Sequence, residues 1–313
     1  MRIHALSLAP LPAALKERLE RLGELRYYDA AMGDPDTAEK AREAEVLLIS
    51  PRGGVGIVEA LESCRLISVQ GTGVDAFNLE AARQKGIAVT NVPEFCTNAV
   101  AEQAFALLLA AAKRIEDGRP TLRQGRWKTA LAYPTLGLAG ATLGLFGYGR
   151  IGKRIAEIGR AFGMKIIACV RDPSRRRDVE TADFDGLLAR SDFMILAAPA
   201  TEETVGCFNR EAFKRMKPTA VAVNISRGSL VDEAALLEAL DAGELAAAAT
   251  DVFRLEPPEP DDPLLRHPRL VVSPHVAWGT ADALERLLEE SVVNVEAFLA
   301  GTPRNLVLGG SPS

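Results

Sequence analysis

The sequence predicts an α/β protein built from two doubly wound parallel-sheet domains, and three observations carry that prediction. Short apolar runs of strand character alternate with helix-period segments along the chain. One such unit, Thr142–Asp172, holds a glycine-rich turn between a strand and a helix. About 140 residues precede that turn, enough for a further domain in a chain of 313.

Taken in order, Arg2–Leu8 is a candidate first strand and Pro12–Leu22 a helix. Val46–Ser50 and Leu66–Gln70 read as buried parallel strands with helical segments between them. Small residues gather just past two of these strands, in Pro51-Arg52-Gly53-Gly54 and Gly71-Thr72-Gly73. Open α/β sheets bind ligands at the carboxyl ends of their strands, so both loops are candidate substrate contacts. Ile87–Asn91 is a further strand, ended by Pro93. Ala99–Ile115 is almost wholly apolar, which predicts a helix buried on most sides, between domains or at a subunit interface. Pro120–Gly140, with Trp127 and Tyr133, has no clean period and reads as a connecting arm.

The organising stretch follows. Leu143–Phe146 is a buried strand, and a G-x-G-x-x-G falls at Gly147, Gly149 and Gly152. Ile151, Ile155, Ile158 and Phe162 are spaced to line one helix face, the helix stops at Gly163, and Ile166–Val170 forms the next strand. The first glycine permits the tight turn, the second permits close approach of a pyrophosphate, and the third permits close helix–strand packing. The helix N-terminus adds N–H donors and the positive end of a dipole, so the stretch predicts dinucleotide binding. Later strands are expected at Phe193–Ala197, Ala220–Asn224, Ala246–Val252 and Leu270–Ser273, with a helix at Glu233–Ala242. Ala281–Leu299 is an amphipathic helix expected to return the chain to the first domain, completed by Asn305–Val307. The predicted domains are 1–98 plus 284–313, and 99–283.

Composition excludes several classes of function. A net charge of −5 favours neither nucleic acid nor an anionic membrane as partner. No run approaches a membrane span, and Met1–Leu8 is too short and interrupted for a signal peptide. Cys64, Cys96, Cys169 and Cys207 lie far apart with no C-x-x-C pair and no histidine at ligand spacing. They read as reduced thiols of a cytoplasmic protein, with no metal site.

Chemistry is sought among few residues, because the chain has three histidines. His4 lies within the first strand and reads as a core or edge histidine; His267, between Arg266 and Pro268, reads as solvated. His275 follows Leu270–Val272 at the carboxyl end of a strand in the nucleotide domain, where an imidazole suits proton transfer. Arg227 and Glu256 also follow buried strands, so three charged groups from three strand ends are placed to converge.

These pieces together resemble the D-isomer-specific 2-hydroxyacid dehydrogenases. The motifs are Gly71-Thr72-Gly73-Val74-Asp75, Val100-Ala101-Glu102, Gly147-Tyr148-Gly149-Arg150-Ile151-Gly152, Asn224-Ile225-Ser226-Arg227-Gly228, Asp251-Val252-Phe253-Arg254-Leu255-Glu256-Pro257 and Pro274-His275-Val276-Ala277. The resemblance spans nearly the whole chain. It implies two Rossmann-like/flavodoxin-like doubly wound domains with an active-site cleft between them, and a homodimer; a crevice between two domains in turn suggests hinge closure near Val100 and Ala281. It implies that Arg227 anchors the substrate's carboxylate and carbonyl oxygen, a task suited to a planar fork of donors. His275 would give a proton to the carbonyl oxygen, and Glu256 would hydrogen-bond and orient His275. Thr72 and Gly73 would hold the carboxylate through backbone N–H groups, with Arg52 a further specificity residue. Cofactor contacts are implied at Gly147, Gly149, Arg150, Ile151, Gly152, Pro199, Thr204, Ile225, Ser226, Arg227, His275 and Ala277, with Asp251 touching the nicotinamide amide.

One departure bears on the cofactor. NAD-specific members carry an acid at the end of the second strand, where this chain has Val170 followed by Arg171 and Asp172, then Arg175, Arg176 and Arg177. That resembles members accepting the phosphate of NADPH, so NADP is favoured, with NAD kept open through Asp172. Pro274-His275-Val276-Ala277-Trp278 is most similar to glyoxylate and hydroxypyruvate reductases. A short D-3-phosphoglycerate dehydrogenase is the alternative substrate reading; formate dehydrogenases have Gln at the Glu256 position. From other classes, an NAD(H)-sensing corepressor-like scaffold shares the Arg–Glu–His set. A methyltransferase would leave that set without a purpose.

Overall fold

The computed structural model describes residues 1–7, 9–29, 36–127, 135–175 and 178–309. Leu8, Tyr133, Arg176 and Arg177, which entered the expectations above, lie outside the described residues. The chain divides into two units, Met1–Phe95 with Thr280–Ser313, and Cys96–Gly279.

The first unit opens with β1 (Arg2–Ser7), α1 (Ala13–Leu22), β2 (Glu24–Asp29), α2 (Thr37–Ala41), β3 (Val46–Ile49), α3 (Ile57–Ala60), β4 (Leu66–Val69), α4 (Leu79–Gln84) and β5 (Ala88–Thr90). β3 and β4 are buried at every position, as continuous apolar runs in a parallel sheet require. β2 is absent from the sequence expectations. Among the described residues it pairs only with β1, at the sheet edge, and its ELRYYD sequence carries the charges of an edge strand.

The second unit begins with α5 (Thr97–Lys113), whose buried residues run from Ala99 to Ala112. The arm then contains α6 (Ile115–Arg123), not expected because Gly118 and Pro120 fall inside it. β6 (Thr142–Phe146), α7 (Arg150–Ala161), β7 (Lys165–Cys169), the short β8 (Glu180–Thr181), α8 (Phe184–Arg190), β9 (Phe193–Leu196), α9 (Arg210–Arg215), β10 (Val221–Asn224), α10 (Glu233–Ala242), β11 (Ala247–Thr250) and β12 (Leu270–Val272) follow. The sheet order is β12-β11-β10-β9-β6-β7-β8, all parallel. This is the doubly wound Rossmann order with its switch point between β6 and β9. One face of the sheet is covered by α8, α9 and α10 through a core that includes Phe208, Phe213, Leu187 and Leu240. α7 buries Gly152, Ile155, Ala156 and Gly159 rather than the full isoleucine row expected. A Cβ at Gly159 would come within 2.8 Å of Leu143 and 2.9 Å of Ile166, so small residues set how closely this helix approaches the sheet. Phe162, at the helix end, instead stacks on Phe105 of α5.

α11 (Ala281–Leu299), N-capped by Thr280, and β13 (Leu306–Leu308) belong to the first unit. Leu288, Val292 and Val295 of α11 pack with Leu15 and Leu19 of α1 against β1, β3 and β4. Arg18 adds ion pairs to Glu289 and Glu296 at 2.6 and 2.7 Å. That unit's sheet runs β13-β5-β4-β3-β1-β2, with β13 antiparallel. Among the described residues, no helix is long and apolar enough to cross a membrane.

Candidate active site

The glycine loop shows what each glycine does. Gly147 has φ of 101°, and an added Cβ would stand 2.7 Å from the Ala198 nitrogen, so both backbone and space require glycine. A Cβ at Gly152 would come within 2.5 Å of the Gly147 carbonyl oxygen. Gly149, the N-cap of α7, differs: a Cβ there meets no chain atom within 4 Å. Packing accounts for the outer two glycines, and the exposed middle one leaves open space at a helix N-terminus. Arg150 is exposed and Ile151 half-buried in the first turn of that helix.

Past β7, Arg171 is exposed and Asp172 folds onto its own loop. Its Oδ1 accepts the Ser174 N–H at 3.1 Å and the Ser174 hydroxyl at 2.5 Å. Past β9, Pro199 is exposed, and Thr204 ties the loop by donating to the Pro199 carbonyl at 2.8 Å.

The Arg227 loop leaves the end of β10. Asn224 shapes it: its Nδ2 donates to the Arg227 carbonyl at 2.9 Å and its Oδ1 accepts the Ser226 N–H at 3.1 Å. Ile225 is buried, and the Ser226 hydroxyl donates to the Ala198 carbonyl, tying this loop to the one after β9. Arg227 is half-buried and donates from Nη1 to the Ser226 carbonyl at 2.9 Å. Gly228 then lies against the backbone of Phe253 and Arg254, where any Cβ would collide. Glycine at this position therefore lets the segment carrying Arg227 touch the segment carrying Glu256.

Glu256 and His275 meet. Glu256 Oε1 accepts the Phe253 N–H at 3.1 Å, and Oε2 lies 2.6 Å from His275 Nδ1. A carboxylate only accepts, so the Nδ1 proton points at Glu256 and Nε2 is the ring atom left for proton transfer. The side chains are 28% and 23% exposed, reachable yet shielded enough to strengthen the pair. Glu233 of α10 supports the same segment by accepting the Arg254 N–H at 2.7 Å, and burial pushes its carboxyl above the usual range.

Asp251, expected at the nicotinamide amide, has intramolecular partners for both of its carboxylate oxygens. The residue is 0% exposed, and its oxygens accept from the Ser273 hydroxyl at 2.5 Å, the Val276 N–H at 3.0 Å and the Ala277 N–H at 2.8 Å. It clasps the segment that presents His275. Asn224, Gly228, Glu233 and Ser273 were missed as site residues by the sequence reading. The one local signal was the Asn and Gly flanking Arg227; the rest is long-range hydrogen bonding. His267 also corrects an expectation. Rather than solvated, its ring accepts the Arg269 N–H at 3.2 Å and lies 3.3 Å from Asp241.

In the first unit, Gly71 lies against the Pro51 ring, where a Cβ would collide, so the Gly71–Gly73 and Pro51–Gly54 loops are neighbours. Thr72 and Arg52 are exposed on these loops and Gly73 is half-buried. The Thr72 carbonyl accepts from Asn91 Nδ2 at 2.7 Å, and its hydroxyl donates to the Val92 carbonyl at 3.2 Å.

Comparison with known proteins agrees with this construction. A family model described as "D-isomer specific 2-hydroxyacid dehydrogenase, NAD binding domain" matches residues 105–277. The glyoxylate reductase of Korarchaeum cryptofilum is 40% identical over 276 residues, covering 85% of this chain and 82% of its own. The glycerate dehydrogenase of Methylorubrum extorquens is 35% identical over 292 residues, covering 91% and 92%. Among solved structures, the NADPH-dependent glyoxylate/hydroxypyruvate reductase of Sinorhizobium meliloti, in complex with NADP and malonate, superposes with a TM-score of 0.85 at 31% identity, covering 100% of this chain and 99% of that one. A doubly wound dinucleotide domain, the paired Glu256 and His275, and these relatives converge: the chain belongs to the D-isomer specific 2-hydroxyacid dehydrogenase family of oxidoreductases.

Proposed function

We propose that this protein reduces a small 2-keto acid of the glyoxylate or hydroxypyruvate type to the D-2-hydroxy acid with a nicotinamide cofactor. The Glu256–His275 pair, 2.6 Å apart at the carboxyl edge of the nucleotide sheet, carries the reading. The fit to a dinucleotide rests on Gly149, whose open face no packing demand explains. When bound, the reduced nicotinamide supplies a hydride. Arg227 takes the carboxylate and carbonyl oxygen of the substrate on its guanidinium fork, with the backbone at Thr72 and Gly73 as further donors. Arg52 is a further specificity residue. His275 delivers its Nε2 proton to the carbonyl oxygen as negative charge develops there, and Glu256 offsets the positive charge the ring carries in its acid form. In the oxidative direction the neutral ring takes the proton back.

Around the cofactor, the α7 N-terminus at Gly149, Arg150, Ile151 and Gly152 receives the pyrophosphate. Pro199, Thr204, Ile225, Ser226 and Ala277 line its path, and Asp251 acts by placing Ala277 and His275. NADPH is the preferred form: Val170 stands where an acid would bind the ribose, Asp172 is turned onto Ser174, and Arg171 is exposed beside them. Homodimerisation is supported by Ile115, Leu122 and Trp127, which are 62%, 55% and 73% exposed on α6 and just beyond it. A cytoplasmic location fits four free cysteines, with the Cys64 thiol pushed up to about 12 by burial.

The test is a panel of glyoxylate, hydroxypyruvate, pyruvate and phosphohydroxypyruvate, each with NADPH and with NADH. Loss of cofactor absorbance, fastest with glyoxylate or hydroxypyruvate and NADPH, is expected. Absence of turnover on every acid would refute the reading, and preference for phosphohydroxypyruvate would move it to a phosphoglycerate dehydrogenase.

A further inference from the structure

We infer that Gln103, in the middle of α5, is a positioning residue for the proton-transfer step, acting through Ser273 and Asp251 on the backbone that presents His275. The inference rests on reading His275 as the acid and base, and adds a residue 170 positions away from the segment it controls.

Between Val100 and Ala112, α5 has only two polar side chains, Glu102 and Gln103. Glu102 is exposed, whereas Gln103 is half-buried. Gln103 Nε2 donates to Ser273 Oγ at 3.1 Å, and Ser273 Oγ donates to Asp251 Oδ1 at 2.5 Å. The direction of this chain is fixed chemically. An ionised Asp251 can only accept, so the single hydroxyl proton of Ser273 must point at it. Ser273 Oγ then has only acceptor capacity left toward α5, and Gln103 must offer its amide N–H.

Asp251 passes this orientation on. Its oxygens also take the N–H groups of Val276 and Ala277, at 3.0 and 2.8 Å, which are the two peptides after His275. On the other side, the His275 N–H donates to the Ser273 carbonyl at 3.1 Å. His275 itself has φ of 54°, a left-handed conformation that non-glycine residues hold only where their surroundings impose it. The chain thus tethers the peptides on both sides of the imidazole, while Glu256 holds the ring. Without the amide of Gln103, the Ser273 hydroxyl keeps Asp251 but loses the second of the two partners that hold it, and the ring loses part of its placement.

The test uses Gln103→Leu, Gln103→Glu, Ser273→Ala, Ser273→Thr and the Gln103→Leu/Ser273→Ala pair in the full chain. Gln103→Leu and Ser273→Ala should each lower kcat about tenfold, short of the ~10²-fold that a 1 Å misplacement costs, with cofactor KM and Tm nearly unchanged. The paired variant should be no worse than Ser273→Ala, and Ser273→Thr, which keeps the hydroxyl, should retain activity. Gln103→Glu gives the sharpest readout, because an introduced carboxylate competes with Asp251 for the one Ser273 proton. Its kcat relative to wild type should fall below that of Gln103→Leu near neutral pH. It should then rise as pH drops from about 7 to about 4 and the introduced carboxyl becomes a donor. A flat ratio for Gln103→Glu, or multiplicative losses in the paired variant, would overturn the inference. Should Gln103→Leu not fold, the Gln103→Glu pH ratio and the Ser273→Ala/Thr contrast decide. If the wild type reduces no 2-keto acid, the functional reading has failed. The downfield His275 Nδ1–H proton resonance then still decides the inference: broadening in Gln103→Glu supports it, and an unchanged line contradicts it.

Discussion

His275 Nδ1 and Glu256 Oε2 lie 2.6 Å apart, while Glu256 Oε1 accepts the Phe253 N–H at 3.1 Å. The carboxylate is thus anchored to its own loop before it reaches the ring. Replacing it with an amide keeps the shape but removes the charge facing the imidazolium. Glu256→Gln should lower kcat by about 10- to 100-fold, the cost of losing a charge-assisted hydrogen bond, with cofactor affinity retained. An unchanged kcat in steady-state turnover would remove Glu256 from the mechanism.

Gly228 is a position where the backbone itself tests the fold. A Cβ would collide with Phe253 and Arg254, so Gly228→Ala must separate the Arg227 and Glu256 segments. Chemical unfolding should show a loss of about 1–3 kcal/mol, as overpacking costs, together with reduced kcat/KM. Retention of both would mean the two loops need not touch.

Arg171 is exposed at the end of the second nucleotide-binding strand, beside an Asp172 held by Ser174. Arg171→Ala should weaken NADPH about 10- to 100-fold and NADH little, measured by fluorescence titration of each cofactor. Equal weakening of both would refute the phosphate contact.

His4 predicts a pH dependence of stability distinct from that of activity. Its Nδ1–H donates to the Lys40 carbonyl at 2.6 Å, and its buried Nε2 has no hydrogen-bond partner among the described residues. Burial holds the imidazole below its usual 6.5, against the pull of the Lys40 carbonyl. Arg26 and Arg2 push the same way as burial, while Glu43 opposes it. Because the folded value lies below the unfolded one, the stabilisation is complete above about 6.5 and is lost as pH falls through the folded value. Urea midpoints should therefore fall on acidification in the wild type and fall less in His4→Gln. Parallel curves would contradict the assignment.

Much of this architecture was legible because parallel strands buried on both faces leave continuous apolar runs, as in Val46–Ile49 and Phe193–Leu196. β2 and α6 were not, the first because an edge strand carries charges, the second because Pro120 sits inside a helix. Arg227, Glu256 and His275 stood out as charges following apolar strands. The supports were hidden for a different reason. Asp251 holding Val276 and Ala277, and Gln103 holding Ser273, are hydrogen bonds across 25, 26 and 170 positions, which no local pattern encodes. The left-handed backbone of His275 was equally invisible, since nothing in Ser273-Pro274-His275 announces it.

In the proposed reaction the His275 imidazole moves the proton while the nucleotide unit holds the cofactor independently of it. This division of roles is tested most directly by measuring cofactor dissociation constants and single-turnover reduction of glyoxylate for wild type and His275→Ala side by side. Matching cofactor affinities are expected, with a reduction rate lower by about 10²–10⁴-fold in the variant. Equal reduction rates in the two proteins would contradict it.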